Sequence, residues 1–408
     1  MKRMISLILV LCFLLTLAAC QENPAPVEPV EPVEPTDVAI RVWLPEKYQA
    51  EGNNWLEEME NRFQAAHPEY RITWNNEAVN AGDEELADLS AELAPDVYLY
   101  SALTLGKKVP LNVLTKLEGA YLEQVQTDNA QVHINASSYG VGAIYGFPME
   151  NDAIFLYYDK TVFTAEDVTS LDKIAEKGRV ILPFEIGSTT ACILLGCGIS
   201  IYGETGLAKQ QGIKIGRTNS GYLGAKKMVE LIENPNVTGG GTEPKALMEG
   251  KAEAVFGFAD DYFVLKDAMG DRLGVAMLPK FTADGDEYQM KALTSCYCIG
   301  VNPKAEQDGK QELCMEFASF LASAEGQLLR YEMTGMVPMH QGLRQHEKIA
   351  ADPVAVAQMD TATYAAVPHT YLLTGNIDYY LKMNLFGTRV SQGNVTLENY
   401  KEVLDSFF

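Results

Sequence analysis

Residues 38–74 run VAIRVWLPEKYQAEGNNWLEEMENRFQAAHPEYRITW, and the apolar period changes twice along them. Val38–Leu44 is short, apolar and rich in β-branched residues, which predicts a strand. From Trp55 the period becomes helical. Trp55, Met59, Phe63 and Ala66 recur on one face, with Glu57, Glu58, Glu60 and Arg62 turned to water. Tyr70–Trp74 returns to strand character, and another strand is expected at Asp96–Tyr100 after the break at Pro95. Alternation of this kind argues for an α/β fold with largely parallel sheets.

The same alternation continues outward. Tyr145–Phe147 and Ala153–Tyr158 flank Pro148 and predict two strands meeting at a turn. Helices are expected at Ala191–Ile201 and Leu223–Ile232, then a loop over Asn234–Thr242 with three consecutive glycines. Lys245–Met248 leads through Glu249-Gly250 into a strand at Ala252–Phe258. A long helix from Lys310 to Met333 is interrupted near Ser323–Gly326, and a last one covers Thr396–Phe407. Gly239-Gly240-Gly241 follows no predicted strand, and no Gly-Lys-Ser/Thr ending occurs. These are turn glycines, not a phosphate cradle.

Composition narrows the partners. The 408 residues carry 32 basic and 55 acidic side chains, a net charge of −23. That excess repels nucleic acid and anionic lipid head groups, and no basic run offsets it, so nucleic acid is excluded as a partner. A chain of this length also calls for more than one core. Beyond Cys12 and Cys20 the cysteines are Cys192, Cys197, Cys296, Cys298 and Cys314, an odd number. Cys296 and Cys298 stand two apart in a strand-like segment and share a face, a geometry that does not favour a bridge; buried thiols are expected. There is no Cys-x-x-Cys pair and no His-Glu-x-x-His helix, so neither a metal nor a cofactor is expected.

The N-terminus has its own logic. Lys2 and Arg3 precede an apolar stretch from Met4 to Leu15, and small residues lead up to Cys20, the layout of a secretory signal. The apolar stretch is shorter than the roughly 20 residues a membrane span needs. Leu17-Ala18-Ala19-Cys20 resembles the lipobox of bacterial lipoproteins. That resemblance implies a signal peptide over 1–19, a lipid on Cys20, and a protein anchored at the extracytoplasmic face of the membrane. The segment 20–37 then reads as a linker. Its PAPVEPVEPVEPT repeat favours an extended polyproline conformation, long enough at about 3.1 Å per residue to act as a spacer.

Several short motifs recur in a telling order. Phe63-x-x-x-His67-Pro68 comes first, then Ala94-Pro95-Asp96-Val97-Tyr98, then Tyr145-Gly146-Phe147-Pro148 followed by Leu156-Tyr157-Tyr158-Asp159-Lys160. Phe184 to Glu204 comes next, in the place before a small-residue helix, and Met248-Glu249-Gly250-Lys251-Ala252-Glu253-Ala254 and Gly274–Pro279 follow. Ala318-x-x-Leu321-x-Ser323-x-Glu325-Gly326-Gln327 closes the series. From about residue 38 to 408 this order resembles the extracellular solute-binding proteins of family 1, on the plan of their maltose-binding branch. The resemblance implies a two-lobe periplasmic-binding-protein type II fold, α/β in each lobe, with three interlobe crossing segments. Lobe one would be 38–150 plus 294–335 and lobe two 151–293 plus 336–408, with crossings near Glu150–Asn151, Ala292–Ser295 and Thr334–Pro338. It also implies a monomer that is not an enzyme. Such a protein captures a small solute, here a sugar or oligosaccharide of the maltodextrin kind, and delivers it to the permease subunits of an ABC importer.

A sugar offers apolar ring faces to aromatic side chains and a rim of hydroxyls to carboxylates. By position in the family plan, the resemblance carries over Lys47, Tyr100, Asp152, Glu185 and Tyr380 as ligand contacts. One departure stands out. Where the branch has a tryptophan-rich Gly-Pro-Trp-x-Trp, this chain reads Gly257-Phe258-Ala259-Asp260-Asp261-Tyr262. Asp260 replaces the stacking tryptophan, leaving Tyr262 and Phe263 as the aromatics, while Trp43, Trp55 and Trp74 all lie near the N-terminus and read as core or helix-face positions. The acidic positions keep a cationic or other polar solute as an alternative. A lipid-anchored sensor or a glycan-active enzyme is the alternative of another class. A glycosidase would need two carboxylates about 5–9 Å apart across the bond, and no pair in the sequence is singled out for that.

Overall fold

The computed structural model describes residues 34–79, 90–151, 153–240 and 243–408. Cys20, the segment 1–19, most of the linker and Asp152 lie outside the described residues. Among the described residues no helix is long and apolar enough to cross a membrane. The elements that matter for the site are, in chain order, β1 (Thr36–Leu44), α1 (Trp55–Ala66), β2 (Tyr70–Ala78), β3 (Val97–Ser101), β4 (Phe147–Asn151), β5 (Phe155–Asp159), β6 (Val180–Ile181), α2 (Gly187–Gly196) and α3 (Asn219–Glu233). They continue with β7 (Val237–Thr238), β8 (Ala254–Gly257), α4 (Asp261–Met269), β9 (Leu273–Ala276), β10 (Ala292–Thr294), β11 (Cys296–Val301), α5 (Gln311–Ala322) and α6 (Ala324–Thr334). The last are α7 (Pro353–Tyr364), β12 (Ala366–Pro368), α8 (Ile377–Ser391) and α9 (Tyr400–Phe407).

Local sequence explains the first unit. Ile40, Val42 and Leu44 point inward from β1 and are fully buried, at the strand period of two. Asn54 caps α1, its side chain accepting from the Glu57 N–H at 3.1 Å, and Trp55, Met59 and Phe63 pack inward. Glu60 departs from the expected solvent face and is buried. β2 runs on to Ala78, and Asn76 on that extension covers the flank of α1, donating to Glu60 Oε1 at 2.8 Å. Burial pushes the Glu60 carboxyl up to about 7.

Two five-stranded sheets result. Sheet one has the order β2-β1-β3-β11-β4, and sheet two the order β7-β6-β8-β5-β9. Both are mixed, where largely parallel sheets were expected. β1 is parallel to β2 and β3, while β11 runs antiparallel to β3 and β4. In sheet two β6 is parallel to β7 and β8, while β5 is antiparallel to β8 and β9. The antiparallel strand in each case is the one that arrives from the other sheet: β5 follows β4 of sheet one, and β11 follows the chain's excursion through sheet two. Pro148 likewise sits inside β4 and not at a turn, and β4 and β5 belong to different sheets. β4 is an edge strand, where a missing N–H costs no ladder bond.

Each sheet has its own core. α1 and α5 pack with β1 and β3 around Trp55, Phe63, Phe317 and Leu321. α2 is wholly apolar at its centre, with Ala191, Cys192, Ile193 and Leu194 fully buried, and lies with residues of α3 and α8 in the second core. The expected helix at Ala191–Ile201 is thus shifted: it ends at Gly196, and Ser200–Ile201 forms a short strand. Ser323 divides α5 from α6, its Oγ accepting from the Gly326 N–H at 3.2 Å. Among the described residues the chain passes three times between the sheets or the cores packed on them: between Asn151 and Phe155, between Ala276 and Cys296, and after Thr334, where residues of α7 and α8 join the cores of sheet two.

Packing of α8 on the second core leaves no room at Gly387, where an added Cβ would lie 1.7 Å from the Phe184 carbonyl oxygen and 2.4 Å from Thr190 Oγ1. Gly387→Ala must push backbone apart. Its expected effect is a loss of about 1–3 kcal/mol, read as a lower denaturant midpoint at unchanged slope.

Candidate functional site

Between the sheets lies a cleft of about 870 Å³. It opens at the carboxyl ends of β1 and β8, where open α/β sheets bind ligands. Lobe one supplies Pro45 and Lys47 just after β1, Leu99 of β3, Glu150 and Asn151 of β4, and Tyr297 of β11. Lobe two supplies Phe258, Asp260, Tyr262 and Phe263 at the start of α4, and Asp352, Val354 and Gln358 of α7 and its cap. Tyr331, Glu332 and Gly335, from α6 and the third crossing, close the back.

The lobe-one wall is built on a buried charge network. Arg330 of α6 is fully buried. Its Nη2 donates to the Met149 carbonyl at 2.8 Å and to the Val337 carbonyl at 3.3 Å, and its Nη1 donates to Tyr48 Oη at 3.3 Å. The Tyr48 hydroxyl donates in turn to Glu150 Oε1, and Lys47 Nζ stands 3.0 Å from Glu150 Oε2. Burial, reinforced by the Glu150 charge, holds the Tyr48 phenol well above its usual range. Opposite, Tyr331 Oη donates to Asp352 Oδ2 at 2.8 Å, while Asp352 Oδ1 accepts from the Val354 and Ala355 N–H groups and caps α7. Lys348 pairs with Glu332, and that bond holds the Glu332 carboxyl below its usual range. Gly335 ends α6 with φ +75°, and a side chain there would meet the Phe263 ring at 3.0 Å.

The sequence pattern of the family described as bacterial extracellular solute-binding protein matches residues 58–357, most of the chain. The chain belongs to that family. Its relatives are binding proteins, and no curated protein sequence matches. Among solved structures, one solved with acarbose is 27% identical, with a TM-score of 0.74 over 91% of this chain and 97% of that one. The maltodextrin-binding protein MalE1 from L. casei BL23, solved without ligand, is 21% identical with a TM-score of 0.79, covering 91% of this chain and 98% of its own. A cyclo/maltodextrin-binding protein complexed with maltotetraose is 18% identical with a TM-score of 0.76, covering 90% and 95%. The fold is therefore the two-lobe α/β fold of the periplasmic sugar-binding proteins.

Within this solute-binding fold, Lys47, Asp260 and Tyr262 come together on the cleft walls. Tyr100 does not join them. It is fully buried in the lobe-one core beside Tyr98, ring centroids 6.0 Å apart, because it follows Leu99 on the strand and points to the other face. Glu185 is exposed ahead of α2, its carboxyl beside Gly240, away from the cleft lining. Tyr380 is half-buried on α8, packed edge-on against Tyr379 and bonded to His369. Asp152 lies outside the described residues. Sequence reading passed over Glu150 as a contact, although it belongs to a crossing it had placed, and it passed over Tyr297, Tyr331, Glu332, Asp352 and Gln358.

Two outcomes follow from the hinge. Arg330→Met removes three hydrogen bonds, leaving the buried Tyr48 hydroxyl and the Met149 and Val337 carbonyls without their donor and Lys47 as the remaining cation beside Glu150. A loss of about 3 kcal/mol in denaturant unfolding is expected. Behind the hinge, His133 is 1% exposed, with Cys296 Sγ 3.9 Å from its carbonyl oxygen, and burial pushes its imidazole down to about 4. The folded state then binds fewer protons than the unfolded chain between that value and the ordinary one near 6.5. Its contribution is complete above about 6.5 and lost as pH falls to about 4, to a maximum of about 3 kcal/mol. His133→Gln should shrink the difference between urea midpoints measured at pH 7 and pH 4.5.

Proposed function

We propose that the protein is the substrate-binding lipoprotein of an ABC importer, capturing a sugar or oligosaccharide between its lobes and handing it to a membrane permease. The observation that carries this reading is the cleft itself. Phe258, Tyr262, Phe263, Tyr297 and Tyr331 line it together with the carboxylates Glu150, Asp260, Glu332 and Asp352, the residue types that cover sugar rings and accept from their hydroxyls. Family membership and neighbours solved with acarbose and maltotetraose favour the same solute class.

In this reading lobe one is 38–150 plus 294–335 and lobe two is 151–293 plus 336–408, closing on the solute by rotation about the crossings. Lys47, Asp260 and Tyr262 touch the solute directly, and Asp152, in the first crossing, adds a carboxylate. The closed form is the one a permease reads, and no bond is made or broken. The lipid on Cys20 and the Val-Glu-Pro spacer hold the monomer near its permease at the extracytoplasmic face.

The test is thermal unfolding of the full chain against maltose, maltotriose, other oligosaccharides, amino acids and polyamines. A folded-state ligand present at 100 times its dissociation constant adds about 2.7 kcal/mol and raises the midpoint by several degrees. The expected outcome is a rise with at least one oligosaccharide, and unaltered saccharide after incubation. A rise with amino acids or polyamines alone, or release of shorter sugars, would sink the reading.

A further inference from the structure

Resting on the carbohydrate reading above, we infer that the cleft selects saccharides carrying a protonated amine, and that Asp260 is the residue that receives it. The charges of the cleft lead there by elimination. Lys47 is matched by Glu150, and Lys348 by Glu332. Asp352 is taken up by the Tyr331 hydroxyl and by two backbone N–H groups at the start of α7. Asp260 also precedes a helix, yet its side chain makes no capping bond, and it has no hydrogen-bond or ion-pair partner among the described residues. It is exposed on the cleft wall, and among the lining carboxylates it is the one without a protein partner.

A second group points the same way. Gln358 of α7 is 4% exposed and lines the cleft. Its Nε2 donates to the Asn151 carbonyl at 3.0 Å, and its buried Oε1 is left without a partner. An acceptor so buried needs a donor. A ligand that brings donors to both positions, one of them charged, completes the site. The rings suit such a ligand as well: Phe258 is 49% exposed and Phe263 61%, flanking Asp260 in the chain, with Tyr262 packed edge-on to Phe263 at 5.8 Å. Exposed rings and a carboxylate lining one cleft hold an ammonium-bearing ring by cation–π and charge-assisted contacts together. The local potential is negative: beyond the effect of burial, the charges of Asp261 and Asp260 raise the Tyr157 phenol.

Lobe closure makes the difference matter. Over a neutral sugar it strips water from Asp260 and supplies no countercharge. Over an amino sugar the same carboxylate gains a charge-assisted hydrogen bond. The competing partner is Lys47 across the cleft, which would take Asp260 whatever the ligand.

Calorimetric titration of the full chain with matched pairs of glucose and glucosamine oligomers, α- and β-linked, separates these cases. At pH 6 the amine-bearing member of at least one pair should bind about tenfold tighter than its hydroxyl counterpart, and the ratio should fall towards one at pH 9, where the amine is neutral. Asp260→Asn should cut the pH 6 ratio by about tenfold. A ratio near one at pH 6, or a ratio that Asp260→Asn leaves intact, overturns the inference, the latter because Lys47 and not the ligand then holds the carboxylate. Binding of neutral oligomers without any preference for amines overturns this inference alone. No binding by any pair overturns the carbohydrate reading itself.

Discussion

The geometry of the cleft depends on one buried guanidinium. Arg330 leaves α6 and reaches the carbonyl of Met149, just before the first crossing, and that of Val337, in the third. Through Tyr48 it also meets Glu150 and the segment after β1. A planar cation with several donors can satisfy carbonyls from separate segments at once, which a lysine cannot do. Such a group is costly to bury, and the carbonyls it reaches, with the charge of Glu150 shared with Lys47 and relayed through Tyr48, offset that cost. The lobe-one wall, the end of α6 and two of the crossings are thereby held in one arrangement. Gly335 supplies a left-handed backbone where the chain turns out of α6.

The same knot explains why the cleft is lined so unevenly. Lobe one presents charges already paired among themselves, Lys47 with Glu150, on a rigid backing. Lobe two presents the start of α4, a loop-borne run of rings and carboxylates whose contacts are mostly local. The Tyr157 hydroxyl anchors the Phe258 carbonyl at 2.6 Å, and Asp261 accepts from the Phe258 N–H at 2.8 Å. These bonds fix the backbone and leave the neighbouring side chains facing the cleft. Fixed recognition on one side and a solvent-facing aromatic wall on the other suit a protein that closes on its ligand.

How much of this was legible in the sequence depended on range. β1, α1 and the division of α5 from α6 at Ser323 follow from periodicity and capping, which act over a few residues. Strand direction did not follow, because β5 and β11 each enter their sheet from the other one and pair with strands far away in sequence. Pro148 misled for a related reason: a proline suits a turn or an edge strand equally, and only the sheet order decides. At the site, Lys47, Asp260 and Tyr262 were reachable from positions in a shared plan. Tyr100 was displaced by the alternation of its strand, with Leu99 taking the cleft side. Tyr331, Asp352 and Gln358 were hidden because α6 and α7 reach the cleft from far along the chain.

Sheet composition has a consequence for assembly. All five strands of sheet two lie between residues 155 and 276, one contiguous stretch. Sheet one lacks its antiparallel strand until residues 296–301 arrive, and until then β3 and β4 have no strand between them. A chain emerging N-terminus first thus leaves two sheet edges unpaired until all of sheet two has followed, the state in which strands are prone to mispair. Sheet one begins first and is completed last.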